Sequence, residues 1–276
     1  MLSRTAKIDL AIVLTVFNRP PGVLKQTLKF ILDSESRKRF AIVVVDDGSD
    51  GEHRKAYQEI RKVLTSEVGR VVWEERSTVE EHPETYHIDG HNNPAYVTNI
   101  GVKLAQETGA ARTLLLSSDC CIRPPGLEQA LVCPADVVLV PRVVDSQTKQ
   151  VFCGSHRVWP MCWFVCASTD LIASVPFDEE YLKGMAFEDN DFMGRLLLKA
   201  GQMLITDDIL VVHQTHPLVA YSDDLRGFKI SEEYTRKKWG GVPYGMPLDP
   251  CLTFRRERSL GNTKIFNPEA PNLCNQ

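Results

Sequence analysis

The stretch IVVVDDGSD, residues Ile42–Asp50, decides the fold class. Four apolar residues run without interruption into two aspartates, and Gly48 and Ser49 follow directly. An unbroken apolar run of this length is typical of a strand buried on both faces, as in a parallel sheet covered by helices. The Asp-Asp-Gly-Ser segment has the composition of a turn. The sequence therefore places carboxylates at the carboxyl end of a buried strand.

The rest of the first half repeats this alternation of apolar strands and amphipathic helices. The predicted strands are Leu10–Val16, Ala41–Val45, Arg70–Trp73, Thr113–Leu116 and Val137–Val140. The predicted helices are Gly22–Leu32, Glu52–Leu64 and Ala95–Gln106. This order predicts an α/β fold with a mostly parallel, Rossmann-like sheet and helices on both faces. Right-handed crossovers bring the carboxyl ends of the strands to one edge, where ligands bind in such sheets.

Polar side chains arrive at that edge from three separate segments of the chain. They follow three predicted strands and comprise Thr15, Asn18 and Arg19, then Asp46–Asp50, then Ser117, Ser118 and Asp119. A solvated turn explains any one of these segments. Their convergence on one edge predicts a shared ligand site.

Composition bounds the remaining possibilities. The chain has 276 residues, 43% hydrophobic and 25% charged, with a net charge of −4, which weakens nucleic acid or an anionic membrane as a partner. The sequence contains no apolar run near the ~20 residues that span a bilayer. Its eight cysteines form no CxxC pair, so we expect buried free thiols and a cytoplasmic protein.

The order of the motifs resembles family 2 glycosyltransferases with the GT-A fold. The stretches that carry the resemblance are IVLTVFNRP, IVVVDDGSD, NPAYVTNIGVKLA, LLLSSDCCIRPP and GMAFEDNDFMGRLLLKAG. The resemblance implies a GT-A domain over residues 1–220 with a smaller acceptor-side region. Residues 1–120 would form its nucleotide-sugar-binding half, residues 121–220 its acceptor and catalytic half, and residues 221–276 a C-terminal extension.

The resemblance also implies a nucleotide-sugar donor, with a UDP-sugar favoured. Asp47 would accept the N3–H of uracil and Asp46 would lie at the strand edge, although a turn alone also explains the Asp-Asp-Gly-Ser segment. The donor-binding residues implied are Thr15, Phe17, Asn18, Arg19, Asp46, Asp47, Asn99, Ser117 and Ser118.

A divalent metal is the cofactor that the resemblance implies. The family usually carries Asp-x-Asp at the end of this later strand, whereas this sequence has Ser117-Ser118-Asp119 and so lacks the first acid. One carboxylate, phosphate oxygens and waters can still complete the coordination of Mn²⁺ or Mg²⁺. Asp119 is thus the predicted ligand, with His213 preferred over His216 as a second one. Metal-independent activity is the alternative.

The segment around Glu188 supplies the candidate general base. Glu188, Asp189 and Asp191 would occupy the first turn of a helix, where the helix dipole favours carboxylates. Spacing places Asp189 on the apolar face, whereas Asp191 is spaced i, i+4 to Arg195 as a structural or surface ion pair. The family pattern also assigns the base to the second acid of this motif, so Asp189 is the predicted base.

The acceptor and the reaction class leave alternatives open. Glu188, His156, Trp159 and Trp163 are candidate acceptor-binding residues, since aromatic rings stack on sugar faces. The acceptor itself could be a glycan, a small molecule, a protein or a modified nucleic acid. A nucleotidyltransferase is the competing enzyme class, but the first strand lacks its Gly-rich basic loop. A non-catalytic sugar-nucleotide or glycan-binding module is the third possibility.

Overall fold

The computed structural model describes residues 7–76, 94–134, 137–153, 164–183, 187–214, 226–239, 254–260 and 263–268. Its strands are β1 (Leu10–Val16), β2 (Phe40–Asp46), β3 (Arg70–Glu75), β4 (Arg112–Leu116), β5 (Cys120–Ile122), β6 (Val138–Asp145), β7 (Val151–Cys153), β8 (Phe164–Ser168), β9 (Met203–His213), β10 (Phe254–Leu260) and β11 (Thr263–Pro268). Its α-helices are α1 (Pro21–Leu32), α2 (Gly51–Glu67), α3 (Pro94–Glu107), α4 (Gly126–Val132), α5 (Thr169–Ala173), α6 (Glu188–Ala200) and α7 (Arg226–Trp239).

The first half of the sheet is wholly parallel and runs in the order β4-β1-β2-β3. All residues of β2 are buried, and so are all but Thr15 of β1, as expected for strands covered on both faces. The chain moves outward from β1 to β3 and then returns to place β4 on the other side of β1. Right-handed crossovers therefore put α3 on the opposite face from α1 and α2. The gap between β1 and β4 is the topological switch point, where ligands bind in open α/β sheets.

Local sequence chemistry explains how the chain turns at the end of β2. The Asp46 side chain accepts a hydrogen bond from the Ser49 amide at 3.0 Å, and Gly48 between them has φ 85°, which favours glycine. The Asp50 carboxylate then caps α2 by accepting hydrogen bonds from the amides of Glu52 and His53, both at 3.0 Å. The motif thus encodes the strand end, the turn and the helix start.

The contact between α3 and β1 explains another glycine. A Cβ atom added at Gly101 would lie 2.5 Å from Cγ1 of Val13, a distance that real Cβ atoms do not show. Glycine at this position lets α3 approach the sheet closely. This close contact sets the distance between α3 and β1, the strand that leads into the loop with Asn18 and Arg19.

The second half of the sheet is mixed. β8 runs antiparallel to β4, β6 runs parallel to β9, and β5 pairs antiparallel with β9. β11 runs antiparallel to β9, so the predicted C-terminal extension, residues 221–276, adds β10 and β11 to the same sheet. The α/β prediction is confirmed, and the parallel arrangement ends at β4.

Among the described residues, none of the helices is both long enough and apolar enough to cross a bilayer.

Candidate active site

The loop after β1 is fixed to the turn after β2. Asn18 adopts a left-handed backbone with φ 43°, which asparagine tolerates better than most residues. Its amide donates to Oγ of Ser49 and its side-chain oxygen accepts from the Asp50 amide, both at 2.9 Å. The Tyr57 hydroxyl of α2 donates to the carbonyl of Arg19 at 2.7 Å. These hydrogen bonds fix the backbone from which the Arg19 side chain extends.

Asp119 lies at the end of β4, and its carboxylate contacts groups from two strand ends. Nη1 of Arg19 is 2.9 Å from Oδ2 of Asp119, and the Ser117 hydroxyl donates to Oδ1 at 2.5 Å. Nε of Arg19 donates to Oγ of Ser118 at 3.1 Å. The Asp119 side chain is 6% exposed and that of Arg19 is 20% exposed. The predicted convergence of the β1 and β4 ends is thus observed as an ion pair across the switch point.

The backbone of the β4 loop is held by α1 and by the end of β9. The Thr27 hydroxyl of α1 donates to the carbonyl of Ser118 at 3.1 Å. The Gln214 amide donates to the Asp119 carbonyl at 2.8 Å, and the Gln214 side chain donates to Oγ1 of Thr27 at 3.2 Å. Thr27 and Gln214 are both buried. These hydrogen bonds from buried residues therefore restrict the conformation of the loop that carries Asp119.

His213 reaches Asp119 because β5 and β9 are paired. Cys120, the residue after Asp119, lies opposite His213 in the ladder. Nε2 of His213 is 3.7 Å from Oδ2 of Asp119, and Nδ1 is 3.7 Å from Oδ2 of Asp145. The Asp145 carboxylate is held in turn by the amides of Gln147 and Thr148, at 2.9 and 2.7 Å. An imidazole between two carboxylates is the arrangement in which one acid orients a histidine that binds a metal on its other nitrogen.

The donor atoms around Asp119 fit a divalent metal when a substrate supplies further ligands. Two ligand atoms at right angles on an ion with bonds of about 2.1 Å lie roughly 3 Å apart. Oδ2 of Asp119 and Nε2 of His213 are 3.7 Å apart, so a small shift of either side chain would bring both within reach of one ion. Among the described residues, no group of three or more His, Cys, Asp or Glu side chains could hold a metal ion. The protein therefore offers a carboxylate and an imidazole, which suit Mn²⁺ or Mg²⁺ if phosphate oxygens and waters complete the shell.

The two aspartates after β2 have different surroundings. Asp46 is fully buried, its Oδ1 accepts from the Ser49 amide, and burial raises the pKa of this carboxyl above its ordinary value. Asp47 accepts from Nη1 of Arg76 at 2.7 Å. The Arg76 guanidinium also lies 4.5 Å from the ring centre of Tyr96. Asp46 is thus held within the turn and Asp47 is paired with Arg76, and donor binding by either residue remains a prediction.

Asn99 makes its side-chain hydrogen bonds with the segment that precedes the candidate base helix. Its amide nitrogen donates to the carbonyl of Phe177 at 3.0 Å and to Oε1 of Glu179 at 2.8 Å. Its amide oxygen accepts from the Phe177 amide at 2.7 Å. These bonds join α3 to the chain leading into α6. Donor binding by Asn99 remains a prediction, and the same holds for Thr15 and Phe17, which are partly buried near the end of β1.

Two acids open α6. Phe187 precedes the helix with φ 73°, and Glu188 and Asp189 occupy its first turn. Oδ1 of Asp189 accepts from the Asn190 amide at 2.8 Å, so the orphan amides of the helix start orient this carboxylate. Burial of its carboxyl, followed by the nearby Asp189 charge, raises the pKa of Glu188 to about 8. This pair of adjacent carboxyls therefore retains a proton to a higher pH than an ordinary glutamate does.

Asp191 corrects the helix-face prediction. The predicted pair with Arg195 is present, with Nη2 2.7 Å from Oδ2, but the Asp191 side chain is 0% exposed. Nζ of Lys238 lies 2.7 Å from Oδ1, and the Trp239 indole donates to the same oxygen at 2.8 Å. The sequence argument placed Asp189 inward. The structure buries Asp191 instead because α7 covers that side of α6, while Asp189 is partly exposed.

Several residues around the site were missed from the sequence, and others cannot be placed. Gln214 and Arg76 each follow directly on a strand, so the strand-end criterion that selected Asp119 could have found them. Asp145 is the last residue of β6 and lies five residues beyond the predicted end of that strand at Val140, so the same criterion would have missed it. Tyr57 lies within a helix and gives no such signal. Some predictions lie outside the described residues, namely His156, Trp159, Trp163 and His216.

Four cysteines in the part of the chain that the structure describes are free and buried, as expected. These are Cys120, Cys121, Cys133 and Cys166. Burial raises the pKa of Cys121 to about 11 and that of Cys120 well above its ordinary value. Buried thiols with raised pKa values are poor nucleophiles and poor metal ligands.

Comparison with known structures identifies the fold. No protein-family model and no curated protein matches the sequence. S. aureus TarS 1–349 in complex with UDP aligns at TM-score 0.56 and 16% identity, over 84% of this chain and 72% of that one. The chain has the GT-A glycosyltransferase fold.

Two further structures with the same fold hold a manganese ion. GalNAc-T7 with UDP, GalNAc and Mn²⁺ aligns at TM-score 0.60 and 12% identity, over 84% of this chain and 48% of that one. The mannosyltransferase PcManGT from Pyrobaculum calidifontis, in complex with GDP-Man and Mn²⁺, aligns at TM-score 0.59 and 11% identity, over 88% of this chain and 68% of that one. At these identities the likeness concerns the fold.

Proposed function

We propose that the chain transfers a sugar from a nucleotide-sugar donor, a UDP-sugar, to an acceptor hydroxyl with inversion. The cluster of Arg19, Ser118 and Asp119 beside His213, at the switch point of a GT-A sheet, is the observation that carries this proposal. Structures of the same fold bound to UDP or to GDP-Man support a nucleotide-sugar donor. The acceptor stays open among a glycan, a small molecule, a protein and a modified nucleic acid.

The donor would lie along the edge formed by the ends of β1, β2 and β4. Asp47 would accept the N3–H of uracil, and Arg76 would hold that carboxylate ionised and in place. Thr15, Phe17 and Asn18 would line the base and ribose pocket. The donor diphosphate would lie near Arg19, Ser117 and Ser118, which follow β1 and β4.

Asp119 and His213 would hold Mn²⁺ or Mg²⁺ together with oxygens of the donor diphosphate. When bound, the ion supplies positive charge against the leaving diphosphate. Asp145 would orient His213 so that Nε2 faces Asp119. Arg19 would add a second fixed positive charge on the diphosphate side, since its guanidinium lies beside both Ser118 and Asp119.

Asp189 would act as the general base. Its carboxylate would take the proton of the acceptor hydroxyl while the oxygen attacks the anomeric carbon from the face opposite the diphosphate. The first-turn position keeps this carboxylate ionised, because the helix dipole favours the charged form. The neighbouring Glu188, with its raised pKa, would stay protonated near neutrality and could donate a hydrogen bond to the acceptor.

Calorimetry against a panel of nucleoside diphosphates and nucleotide sugars, each with and without Mn²⁺, tests this proposal. We expect one uridine nucleotide to bind, more tightly with Mn²⁺, and the matching UDP-sugar to be hydrolysed slowly or transferred to added acceptors. Asp119→Asn should abolish the Mn²⁺-dependent part of the affinity. Failure of every nucleotide to bind would remove the proposed function, and binding without any turnover would favour a non-catalytic binding module.

A further inference from the structure

The ion pair between Arg19 and Asp119 occupies the same carboxylate oxygen that faces His213. Nη1 of Arg19 is 2.9 Å from Oδ2 of Asp119, and Nε2 of His213 is 3.7 Å from that oxygen. The other oxygen, Oδ1, accepts from the Ser117 hydroxyl. The oxygen best placed to be a metal ligand thus already carries a positively charged partner.

The geometry of Arg19 shows that its position is built into the fold. Its carbonyl accepts from the buried Tyr57 hydroxyl, and its Nε donates to the buried Ser118 hydroxyl. Asn18, the residue before it, is held at both its amide and its side chain. The backbone of Arg19 is therefore fixed, whereas its guanidinium can move away from Asp119 by rotation about the side-chain bonds. Its charge still stays near the switch point.

Two cations compete for one carboxylate in this arrangement. A divalent ion between Asp119 and His213 would lie next to the guanidinium, and like charges at this range in a half-buried site repel strongly. Ser117 stands where the Asp-x-Asp pattern has its first acid, so Asp119 is the one carboxylate of this motif that can attract a cation. A diphosphate resolves the competition because it offers the guanidinium an alternative, bidentate partner.

We propose that Arg19 makes metal binding at Asp119 conditional on the donor diphosphate. Without nucleotide, the guanidinium holds Asp119 and keeps the affinity for a divalent ion low. With nucleotide, the guanidinium moves to a phosphate oxygen and frees Oδ2 of Asp119. Metal and nucleotide then strengthen each other's binding by the same factor, as thermodynamic linkage requires. The inference rests on the proposed function, since it needs a nucleoside diphosphate at this edge.

Electron paramagnetic resonance of free Mn²⁺ measures this competition without any catalytic assay. Wild-type protein and Arg19→Met are titrated with Mn²⁺, first alone and then with saturating UDP, with the affinity of Mn²⁺ for UDP in buffer subtracted. We expect Arg19→Met alone to bind Mn²⁺ about 10-fold more tightly than the wild type, because the competing charge is gone. UDP should strengthen Mn²⁺ binding by a large factor in the wild type and by a much smaller factor in the variant.

Two controls separate the proposed mechanism from general charge effects. Arg39→Met removes an exposed arginine whose Nε lies 2.5 Å from Oδ2 of Asp9, and it should leave both Mn²⁺ affinities unchanged. Arg19→Lys keeps a positive charge on a shorter-reaching donor and should fall between wild type and Arg19→Met. Thermal melting of each variant establishes that it is folded.

The outcomes distinguish this inference from the function on which it rests. If UDP binds but Arg19→Met alone binds Mn²⁺ no more tightly than the wild type, Arg19 does not compete and the inference fails while the function survives. If UDP strengthens Mn²⁺ binding equally in both proteins, the coupling does not pass through Arg19. If no nucleoside diphosphate binds to wild type or variant, the proposed function falls first and the inference with it.

Discussion

Two arginine–aspartate pairs involve residues of the candidate site segments, and they differ in what surrounds them. The pair of Arg19 and Asp119 lies at the switch point, where Asp119 is 6% exposed and His213 lies nearby. The pair of Arg195 and Asp191 lies on α6, the candidate base helix, where Asp191 is 0% exposed and is also contacted by Lys238. The first carboxylate has partners that a ligand can replace. The second is enclosed by partners from the fold itself.

The comparison shows that residue type and spacing do not decide whether an ion pair is for binding or for structure. The partners brought by distant segments decide it. α7 supplies Lys238 and Trp239 to Asp191 and so turns an apparently exposed helix pair into an internal anchor. Asp119 receives serine, arginine and histidine contacts from strand ends that meet at the switch point. The following predictions test this contrast.

The largest expected effect is on turnover, at the base helix. Asp189→Asn should lower kcat by about 10²-fold or more, because the general base is lost while the shape of the side chain is kept. Nucleotide affinity by calorimetry should stay within error of the wild type, since Asp189 is assigned to the acceptor. Asn190→Ala on the same exposed turn serves as a control for changes to the helix start. Turnover near the wild-type value would exclude Asp189 as the base.

The next effect is on stability, and it compares the same substitution at Asp191 and at an exposed ion pair elsewhere in the protein. Asp191→Asn should lower the free energy of unfolding by about 3 kcal/mol, since a fully buried carboxylate loses its charge-assisted contacts with Arg195, Lys238 and Trp239. Asp33→Asn, in the exposed pair with Lys29, should change it by about 0.5 kcal/mol or less. Urea unfolding of the three proteins measures both values. Equal losses at the two sites would mean that α7 does not enclose Asp191.

Asp119→Asn should show the opposite pattern. Its free energy of unfolding should fall by about 1 kcal/mol or less, because Asp119 pairs with one arginine, whereas Asp191 pairs with both an arginine and a lysine. Binding of nucleotide in the presence of Mn²⁺ should weaken by more than 10-fold, because a neutral amide is a poor ligand for a hard cation. Calorimetry and urea unfolding on the same preparation separate the two effects. A loss of stability as large as that of Asp191→Asn would make Asp119 a structural residue.

The sequence predicts the first half of the fold well for local reasons. β1 has the predicted bounds, Leu10–Val16, and α3 differs from its prediction by one residue at each end. Apolar runs, turn residues and helix caps lie within a few residues of each other here, so each element carries its own signal. The strand-end argument likewise brings Asp119 and Arg19 to one edge, which the structure shows as a direct contact.

The second half depends on pairing between distant segments, which local patterns do not contain. β5, Cys120–Ile122, is too short to give a periodic signal, yet its pairing with β9 is what places His213 beside Asp119. The burial of Asp191 depends on α7, a helix in the part of the chain where the sequence offered no resemblance. The Arg19–Asp119 contact itself could not be foreseen either, because an arginine at a strand end can equally face solvent.

The last expected effect is a change in the pH dependence of stability through Glu188. Its ordinary pKa is 4.5, and in the folded protein burial and the adjacent Asp189 raise the pKa to about 8. The folded state thus binds this proton more tightly than the unfolded state, so the contribution of Glu188 is fully present below the ordinary pKa and is lost as the pH rises through the folded value.

Glu188→Gln mimics the protonated form and removes this dependence, whereas Glu179→Gln provides a matched control at another acid of the neighbouring segment. Relative to wild type, Glu188→Gln should gain stability as the pH is raised from about 5 to 9, measured by urea unfolding at each pH, because the wild type must then hold two adjacent carboxylates. Curves for wild type and Glu188→Gln that stay parallel across this range would mean that Glu188 is ionised near its ordinary pKa. In that case the two acids of the base helix would not differ in protonation state. Glu188 would then accept a hydrogen bond from the acceptor substrate instead of donating one.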